Sequence, residues 1–216
     1  MNLGVKFIKG YMNRLPAGLK AIMFDLAGVI IELHYHLTAN ELAKRAGVSP
    51  ESLKDLLVTS DVLQRFEVAA ISEEDFRKEV CHLLGIEMDP NVFDEVWNAL
   101  LGEISEERLL KLKQIEQKTL ILSNTNSIHE RAFNEILLEN SGHNSLHEVI
   151  DKVYFSHELK LRKPYKEVYQ KVMEDQNLLP EEILFIDDRE DNIQAARNLG
   201  IHVFHNKKLN DWLSLF

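Results

Sequence analysis

A short apolar run that ends in a carboxylate constrains this chain more than any other feature. The run Ala21–Phe24 lies between Lys20 and Asp25. Uninterrupted apolar runs of this length are typical of parallel strands that are buried on both faces. Asp25 would then lie at the carboxyl end of a strand, where open α/β sheets bind their ligands. Gly28 follows closely and permits a tight turn or a close approach to the backbone. The stretch predicts an α/β fold in which Asp25 either caps a turn or acts as a nucleophile.

Two later apolar runs also end in polar side chains. One ends in Ser123-Asn124 and the other ends in Asp187-Asp188, and a basic loop that contains Lys163 lies between them in the sequence. The carboxyl ends of parallel strands share one edge of a sheet. We therefore expect these side chains to gather around Asp25.

The pattern between the first strand and these later units is helical. From Leu37 to about Gly102, capping residues such as Ser49 and Ser72 precede apolar stripes at helical spacing, and no strand signal appears. An all-helical segment in this position predicts a small inserted domain. We interpret its aromatic residues Tyr35, Phe66 and Trp97 as core of that domain.

The domain organisation follows from this alternation. We predict an N-terminal extension over residues 1–17, an α/β core over residues 18–33 and 104–216, and a helical cap over residues 34–103. The extension is assigned no function. The segment Leu209–Phe216 is predicted to form a closing helix.

The acidic side chains at the predicted sheet edge require a cation. Carboxylates around one point repel each other unless a cation binds them, and hard oxygen ligands suit Mg²⁺. With a metal, Lys163 and the Ser123 hydroxyl present, a phosphate could approach Asp25 despite its negative charge. Asp25 could then attack phosphorus and form an aspartyl-phosphate that water hydrolyses.

Each of these residues also has a structural explanation. Asp25 can cap a turn, Ser123 can begin a loop, Lys163 can be a surface lysine, and Asp187-Asp188 can cap a helix. The occurrence of all four in order, on successive β/α units, favours the chemical explanation.

Four segments carry a more specific pattern: Phe24–Val29, Leu120–Asn126, Arg162–Pro164 and Phe185–Asn192. In this order, and with a helical insertion, they resemble the motifs of the haloacid dehalogenase superfamily, in particular its phosphatase-like members with a small helical cap. The resemblance covers about residues 18–208. Within the superfamily, the chain is similar to the bacterial α-D-glucose-1-phosphate phosphatase group. The resemblance implies a Rossmann-like, doubly wound parallel sheet with an all-helical cap. It also implies a Mg²⁺-dependent hydrolase of a small phosphorylated metabolite, with a sugar phosphate as the expected substrate.

The resemblance also implies roles for the residues that match these motifs. The catalytic residues would be Asp25, Lys163 and Ser123, and the substrate-binding residues would be Ser123, Asn124 and Lys163. The metal ligands would be Asp25, Asp188 and the backbone carbonyl of Ala27, with Asp187 and Asn192 in support.

Ala27 departs from the pattern of this superfamily. Most of its phosphatases and mutases have a second aspartate there, which protonates the leaving group and activates water. Alanine cannot transfer a proton, and general acid–base catalysis is worth about 10²–10⁴-fold. The chain therefore expels an easy leaving group, uses another proton donor, or is a slow or non-catalytic protein that binds a phosphorylated ligand. A 2-haloacid dehalogenase is a further alternative, but its chemistry uses no metal, and acidic residues would then repel the anionic substrate.

The composition limits the partners and the compartment. The formal net charge is −10 without a basic block, which disfavours nucleic-acid binding. No stretch reaches the roughly 18 apolar residues of a membrane span, and residues 1–17 lack the apolar core of a secretory signal. The single cysteine, Cys81, fits a reducing cytoplasm. We expect a cytoplasmic monomer or homodimer that binds a small phosphorylated substrate, with neither nucleic acid nor membrane as a partner.

Overall fold

A parallel sheet forms the centre of the chain. The computed structural model describes residues 15–216, so most of the predicted N-terminal extension lies outside the described residues. Within that range, the strands are β1 (Ala21–Phe24), β2 (Lys118–Ser123), β3 (Lys152–Phe155), β4 (Ile183–Asp187) and β5 (His202–His205). They pair in the order β3-β2-β1-β4-β5, all parallel. The central strand β1 pairs with both β2 and β4, so the carboxyl ends of these three strands lie side by side.

Helices connect the strands and fill the segment after β1. They are α1 (Tyr35–Ala46), α2 (Pro50–Thr59), α3 (Val62–Glu67), α4 (Glu73–Leu84), α5 (Pro90–Asn98), α6 (Glu106–Gln114), α7 (Ser127–Ser141), α8 (Ser156–Leu159), α9 (Lys166–Gln176) and α10 (Glu190–Asn198). Capping residues set several of these ends. The side chains of Ser49, Ser72 and Ser105 accept backbone N–H groups of the first turn. Within residues 15–216, each helix is too short or too polar to cross a bilayer.

The two faces of the sheet are covered by different helices. Ile22 and Phe24 of β1 lie in one hydrophobic cluster with side chains of α6 and α7. Ala21 and Met23 lie in a second cluster with side chains of α9 and α10. This alternation follows from the two-residue period of a strand. The prediction of a doubly wound parallel sheet is therefore confirmed.

Helices α1–α5 have a hydrophobic cluster of their own. Phe76 lies at its centre, stacked on Phe66 with the ring centroids 4.1 Å apart and in edge contact with Trp97 at 5.0 Å. The interpretation of Phe66 and Trp97 as core is thus confirmed. That of Tyr35 is wrong, because this side chain is 65% exposed at the start of α1. The boundaries of the cap at residues 34–103 stay a prediction.

Helix α7 joins the cap helices to the sheet. Its Ile128 is part of the cap cluster. The His129 ring stacks on Trp97 with an interplanar angle of 2°, and its Nδ1 lies 2.8 Å from the side-chain oxygen of Asn98. Arg131 donates two hydrogen bonds to Glu73, of 2.6 and 2.9 Å. The cap helices are therefore fixed to the helix that begins just after β2.

The end of the chain packs against the loop after β1. Asp211–Leu215 forms a 3₁₀ helix, so the predicted closing helix is present but of a different and shorter type. Trp212 is fully buried, and its indole N–H donates to the carbonyl of Val29 at 3.0 Å. A second bond runs from its backbone N–H to the side chain of Asn206. Further bonds, from Arg108 to Asn210 and from Lys111 to the Phe216 carbonyl, fix the segment on either side of Trp212.

The half-buried His129 predicts a loss of stability in acid. Burial lowers the pKa of His129 from 6.5 to about 4, so between these values the unfolded chain binds a proton that the folded chain does not. The free energy of unfolding should fall as the pH decreases from 6.5 towards 4. In His129→Gln, this part of the pH dependence should be missing. Urea unfolding at pH 7 and pH 5 measures the difference, and equal pH dependence in both proteins would contradict the assignment.

Candidate active site

Asp25 lies directly after the central strand. Its backbone N–H donates to the carbonyl of Ile186 at 2.8 Å, which continues the pairing of β1 with β4. Its Oδ1 accepts two bonds, from the Leu26 N–H at 2.7 Å and from the Lys163 ammonium at 2.8 Å. The described part of the chain offers no donor to Oδ2. One oxygen of Asp25 is thus fixed and the other is available to react.

Lys163 connects Asp25 to the end of β4. Its side chain is 1% exposed, and Nζ lies 2.7 Å from Oδ2 of Asp187. The Asn124 side-chain amide holds the Lys163 backbone from both sides, since it donates to the carbonyl and accepts the N–H, each at 2.9 Å. The predicted substrate contact of Asn124 stays a prediction. The structure gives this side chain a positioning contact that the sequence did not indicate.

The Asp187 carboxylate accepts several hydrogen bonds from its neighbours. Besides Lys163, its carboxylate accepts the Arg189 N–H at 2.8 Å and the Asn192 amide at 3.0 and 3.1 Å. The other end of that amide, Oδ1 of Asn192, is buried and lacks a hydrogen-bond partner within residues 15–216. Asp187 therefore acts as a support, while Asn192 keeps an acceptor free for a water or a ligand.

Ser123 has a buried hydroxyl without a partner. It ends β2, is 1% exposed, and its Oγ makes no hydrogen bond within the described range. Leaving a buried polar group unsatisfied costs about 1–3 kcal/mol. A phosphoryl oxygen would remove that cost, so the side chain fits the phosphate-binding role that the sequence predicts.

Three carboxylates meet at the sheet edge. Asp25, Asp187 and Asp188 each offer an oxygen, and these atoms lie within 4.8 Å of one another. Among the described residues, none donates a hydrogen bond to the carboxylate of Asp188 from another position in the chain. Gly28 permits its position: this residue has φ +79°, and a Cβ there would lie 2.7 Å from Oδ2 of Asp188. The sequence predicted a tight turn or a close approach at Gly28, and the structure shows that Asp188 is the group that approaches it.

The charge of this cluster is incompletely neutralised. Burial raises the pKa of Asp25 to about 7, Lys163 opposes the shift, and Asp187 and Asp188 add to it. Burial and the neighbouring Asp187 likewise raise the pKa of Asp188 above its ordinary value. A divalent cation relieves such repulsion, and carboxylate oxygens are the ligands that Mg²⁺ prefers. The donor set therefore fits a magnesium ion.

Side chains from the cap helices also approach the segment that carries Lys163. Glu67, at the end of α3, pairs with Arg162 at 2.8 Å, and Arg162 directly precedes Lys163. Tyr35 also approaches this edge of the sheet. Partial burial of its hydroxyl, followed by the charges of Asp188 and Asp25, raises the pKa of that hydroxyl to about 12, although the residue as a whole is 65% exposed. No local sequence pattern indicates these contacts. Helical periodicity places Tyr35 on the same face as Thr38 and the cap core. Tyr35 is the first residue of α1, however, and its side chain extends beyond that core.

The comparisons with known proteins agree with this geometry. A family model described as haloacid dehalogenase-like hydrolase matches residues 19–200. A D-ribitol-5-phosphate phosphatase of Bacteroides thetaiotaomicron is 28% identical over 199 residues, which cover 90% of this chain and 95% of that protein.

Solved structures give the same result. A haloacid dehalogenase family enzyme of B. thetaiotaomicron, in complex with magnesium and inorganic phosphate, superposes with a TM-score of 0.82 at 29% identity, over 92% of this chain and 100% of that one. The L-2-haloacid dehalogenase of Xanthobacter autotrophicus shares the fold, with a TM-score of 0.58 at 19% identity over 87% of this chain and 77% of that one. The family match spans most of the chain and includes every residue of the carboxylate cluster. The chain belongs to the haloacid dehalogenase-like hydrolase family.

Proposed function

We propose that this chain is a Mg²⁺-dependent phosphatase that acts on a small phosphorylated metabolite. One observation carries the proposal. Asp25 follows β1 and Ser123 ends the neighbouring strand β2, and within residues 15–216 one Asp25 oxygen and the Ser123 hydroxyl have no hydrogen-bond partner, while Lys163 fixes the other Asp25 oxygen. A phosphoryl-transfer site needs a carboxylate nucleophile, a positively charged side chain and a hydroxyl that can donate a hydrogen bond to the phosphate, all at one sheet edge.

The reaction uses these side chains in two steps. Oδ2 of Asp25 attacks phosphorus, the bond from phosphorus to the substrate oxygen breaks, and an aspartyl-phosphate forms. Water then attacks the same phosphorus, which releases inorganic phosphate and restores Asp25. Lys163 and Ser123 donate hydrogen bonds to the phosphoryl oxygens, whose charge grows in the transition state. Asn124 keeps Lys163 in place through its backbone.

The metal ligands in this proposal are Asp25, Asp188 and the backbone carbonyl of Ala27. When bound, Mg²⁺ neutralises phosphoryl charge and allows the dianionic substrate to approach the carboxylates. Asp187 and Asn192 support the site, the first through Lys163 and the second through its free oxygen. The magnesium and phosphate in the similar B. thetaiotaomicron enzyme support this assignment.

The proposed substrate is a sugar phosphate or the phosphate of a polyol derived from a sugar. The similarity to a D-ribitol-5-phosphate phosphatase supports this class and points to an open-chain polyol phosphate. The motifs point instead to α-D-glucose 1-phosphate. Both substrates carry several hydroxyl groups, which charged cap residues such as Glu67 can bind. The cytoplasmic location and the monomeric or dimeric state stay predictions.

Ala27 supports a second candidate, a slow or non-catalytic protein that binds a phosphorylated ligand. Binding without turnover would require only Ser123, Lys163 and the metal ligands. The 2-haloacid dehalogenase alternative finds little support, because three carboxylates within 4.8 Å would repel a carboxylate substrate without a metal. The similarity to such a dehalogenase extends to the fold alone.

Replacing Gly28 should weaken magnesium binding. In Gly28→Ala, the new Cβ would overlap Oδ2 of Asp188 and displace that carboxylate. We expect about 10–100-fold weaker Mg²⁺ binding by calorimetry, as when other supports of a metal site are lost. The matched control is Gly142→Ala, which has a similar φ of +73° but nothing within 4 Å of its Cβ. Unchanged Mg²⁺ affinity in Gly28→Ala would argue against Asp188 as a ligand.

Replacing the nucleophile should abolish turnover. With Mg²⁺ present, the wild-type chain should release phosphate from D-ribitol 5-phosphate, α-D-glucose 1-phosphate or p-nitrophenyl phosphate. Asp25→Asn should release none, while the exposed-helix control Asp175→Asn should match the wild type. Phosphate release, measured with purified protein, tests this. Turnover of all three compounds at the rate of the blank would instead favour the binding protein, and melting shifts with these ligands would then identify it.

A further inference from the structure

The segment after β5 bonds to both parts of the chain that supply the proposed metal ligands. Asn206 directly follows β5 and is 1% exposed. Its side-chain amide donates to the carbonyl of Gly28 at 3.2 Å, one residue after Ala27, whose own carbonyl is a proposed ligand. Its backbone N–H donates to the carbonyl of Asp187 at 2.9 Å, one residue before the proposed ligand Asp188. A single buried residue therefore connects the loop after β1 to the end of β4.

The side chain of Asn206 is fixed by the part of the chain that follows it. Its Oδ1 accepts the backbone N–H of Trp212 at 3.1 Å, and its amide nitrogen lies 3.4 Å from the carbonyl of Leu209. The indole N–H of Trp212 donates to the carbonyl of Val29 at 3.0 Å. The C-terminal segment thus bonds to two consecutive carbonyls of the loop after β1, those of Gly28 and Val29.

His205 holds the other side of the same gap. It is the last residue of β5, and its Nε2 lies 2.9 Å from the carbonyl of Asp188. A carbonyl oxygen only accepts hydrogen bonds, so Nε2 is the donor. The second ring nitrogen, Nδ1, lies 2.9 Å from Oε2 of Glu190, which fixes the orientation of the ring. The backbone of Asp188 is therefore attached to β5, next to the residue that bonds Gly28.

The separation between the loop and the end of β4 matters because the two lie in close contact. A Cβ on Gly28 would lie 2.7 Å from Oδ2 of Asp188. Within residues 15–216, the backbone ladder between β1 and β4 ends with the bond from Asp25 to Ile186, so the ladder itself does not fix the loop beyond Asp25. Mg²⁺ needs near-octahedral oxygen ligands at about 2.0–2.1 Å. A residue that sets this separation therefore influences how tightly Mg²⁺ binds.

We propose that Asn206 is a positioning residue of the magnesium site. It holds the Gly28 carbonyl at a fixed distance from the end of β4, so that the carbonyl of Ala27 and the carboxylate of Asp188 can face one ion. Because alanine has no side-chain oxygen, position 27 can reach a metal only through its backbone, and the placement of that backbone is decisive. The inference rests on the proposed phosphatase function, whose metal it concerns.

The test is the affinity of Asn206→Ala for Mg²⁺. This variant loses the bond to Gly28, and its Mg²⁺ affinity by calorimetry should fall by about 10–100-fold, as when other supports of a metal site are lost. Phosphate release from p-nitrophenyl phosphate should return to the wild-type kcat at saturating Mg²⁺, with the half-maximal Mg²⁺ concentration raised by the same factor. A residue that only supports the fold would lower the melting temperature in EDTA without changing the Mg²⁺ affinity.

A double variant tests whether Asn206 acts through the Gly28 loop. Gly28→Ala disturbs the same gap from the other side, because its Cβ would overlap the Asp188 carboxylate. If both variants misplace the same ligands, their effects are coupled. The loss of Mg²⁺ affinity in the double variant should then be smaller than the product of the two single losses. Losses that simply multiply would overturn the action of Asn206 through Gly28.

A milder variant and a matched control complete the experiment. Trp212→Phe keeps the ring and the backbone N–H but loses the bond to Val29, and it should weaken Mg²⁺ binding by about 2–10-fold, the factor that one net hydrogen bond is worth. Thr119→Ala removes a buried hydroxyl that bonds Asp151 at the amino end of β2. This control should lower stability in EDTA and leave the Mg²⁺ affinity unchanged.

Two outcomes separate this inference from the proposed function. Unchanged Mg²⁺ affinity in Asn206→Ala and Trp212→Phe, or in Trp212→Phe where Asn206→Ala does not fold, would overturn the positioning role and leave the phosphatase intact. A wild-type chain that binds no Mg²⁺ would overturn the proposed function and this inference with it.

Discussion

The site depends on a buried ammonium between two carboxylates. Burial by itself would lower the pKa of Lys163, but Asp187 and Asp25 more than offset that effect, and the lysine stays charged. Removing one partner of such a group would leave an uncompensated buried charge, which costs about 3–5 kcal/mol. The triad therefore fixes the relative positions of the ends of β1 and β4 and of the loop before α9. The other contacts of the site, from Asn124, Asn192 and the Arg189 backbone, hold the members of this triad.

The same arrangement leaves some polar groups of the site without a hydrogen-bond partner among the described residues. Within residues 15–216, one oxygen of Asp25 and the Ser123 hydroxyl have no hydrogen-bond partner, and the Asp188 carboxylate accepts no hydrogen bond from another residue, although Asp25 and Ser123 are buried. Such groups cost stability in the free protein and gain partners when a metal and a phosphate bind. A site of this kind is organised before its ligand arrives. That organisation allows the transition state, rather than the substrate alone, to receive the hydrogen bonds.

The cap helices are placed by contacts on two sides of the site. On one side, the stacked rings of Trp97 and His129 and the Glu73–Arg131 pair join them to α7, which follows the Ser123 loop. On the other side, Glu67 pairs with Arg162 next to Lys163. The cap is thus tied to the two segments of the core that carry or follow Ser123 and Lys163. Arg162 and Lys163 are neighbours in one loop, so the ion pair from α3 and the buried lysine share that segment.

The sequence by itself determined the sheet, the helical segment and the convergence of the acidic residues. Apolar runs such as Ala21–Phe24 can be buried on two faces only in a covered parallel sheet, and parallel strands necessarily bring their carboxyl ends to one edge. Local signals, such as the capping serine at position 72 and Gly85 at the end of α4, set helix ends because their partners lie within a few residues. The sequence alone therefore identifies four candidate site residues, namely Asp25, Ser123, Lys163 and Asp188.

Only the tertiary structure decided which oxygen of each carboxylate is free and which residues from distant segments meet. The bonds of Asn124 to Lys163 span 39 positions, and the pair of Glu67 and Arg162 spans 95. Periodicity describes one helix at a time, so it could not show that Tyr35 extends beyond the cap core or that Glu67 faces Arg162. The close approach of Asp188 to Gly28 likewise arises only when β1 and β4 are paired. Side-chain contacts across elements depend on how those elements pack, and that information is absent from the local pattern of a single chain segment.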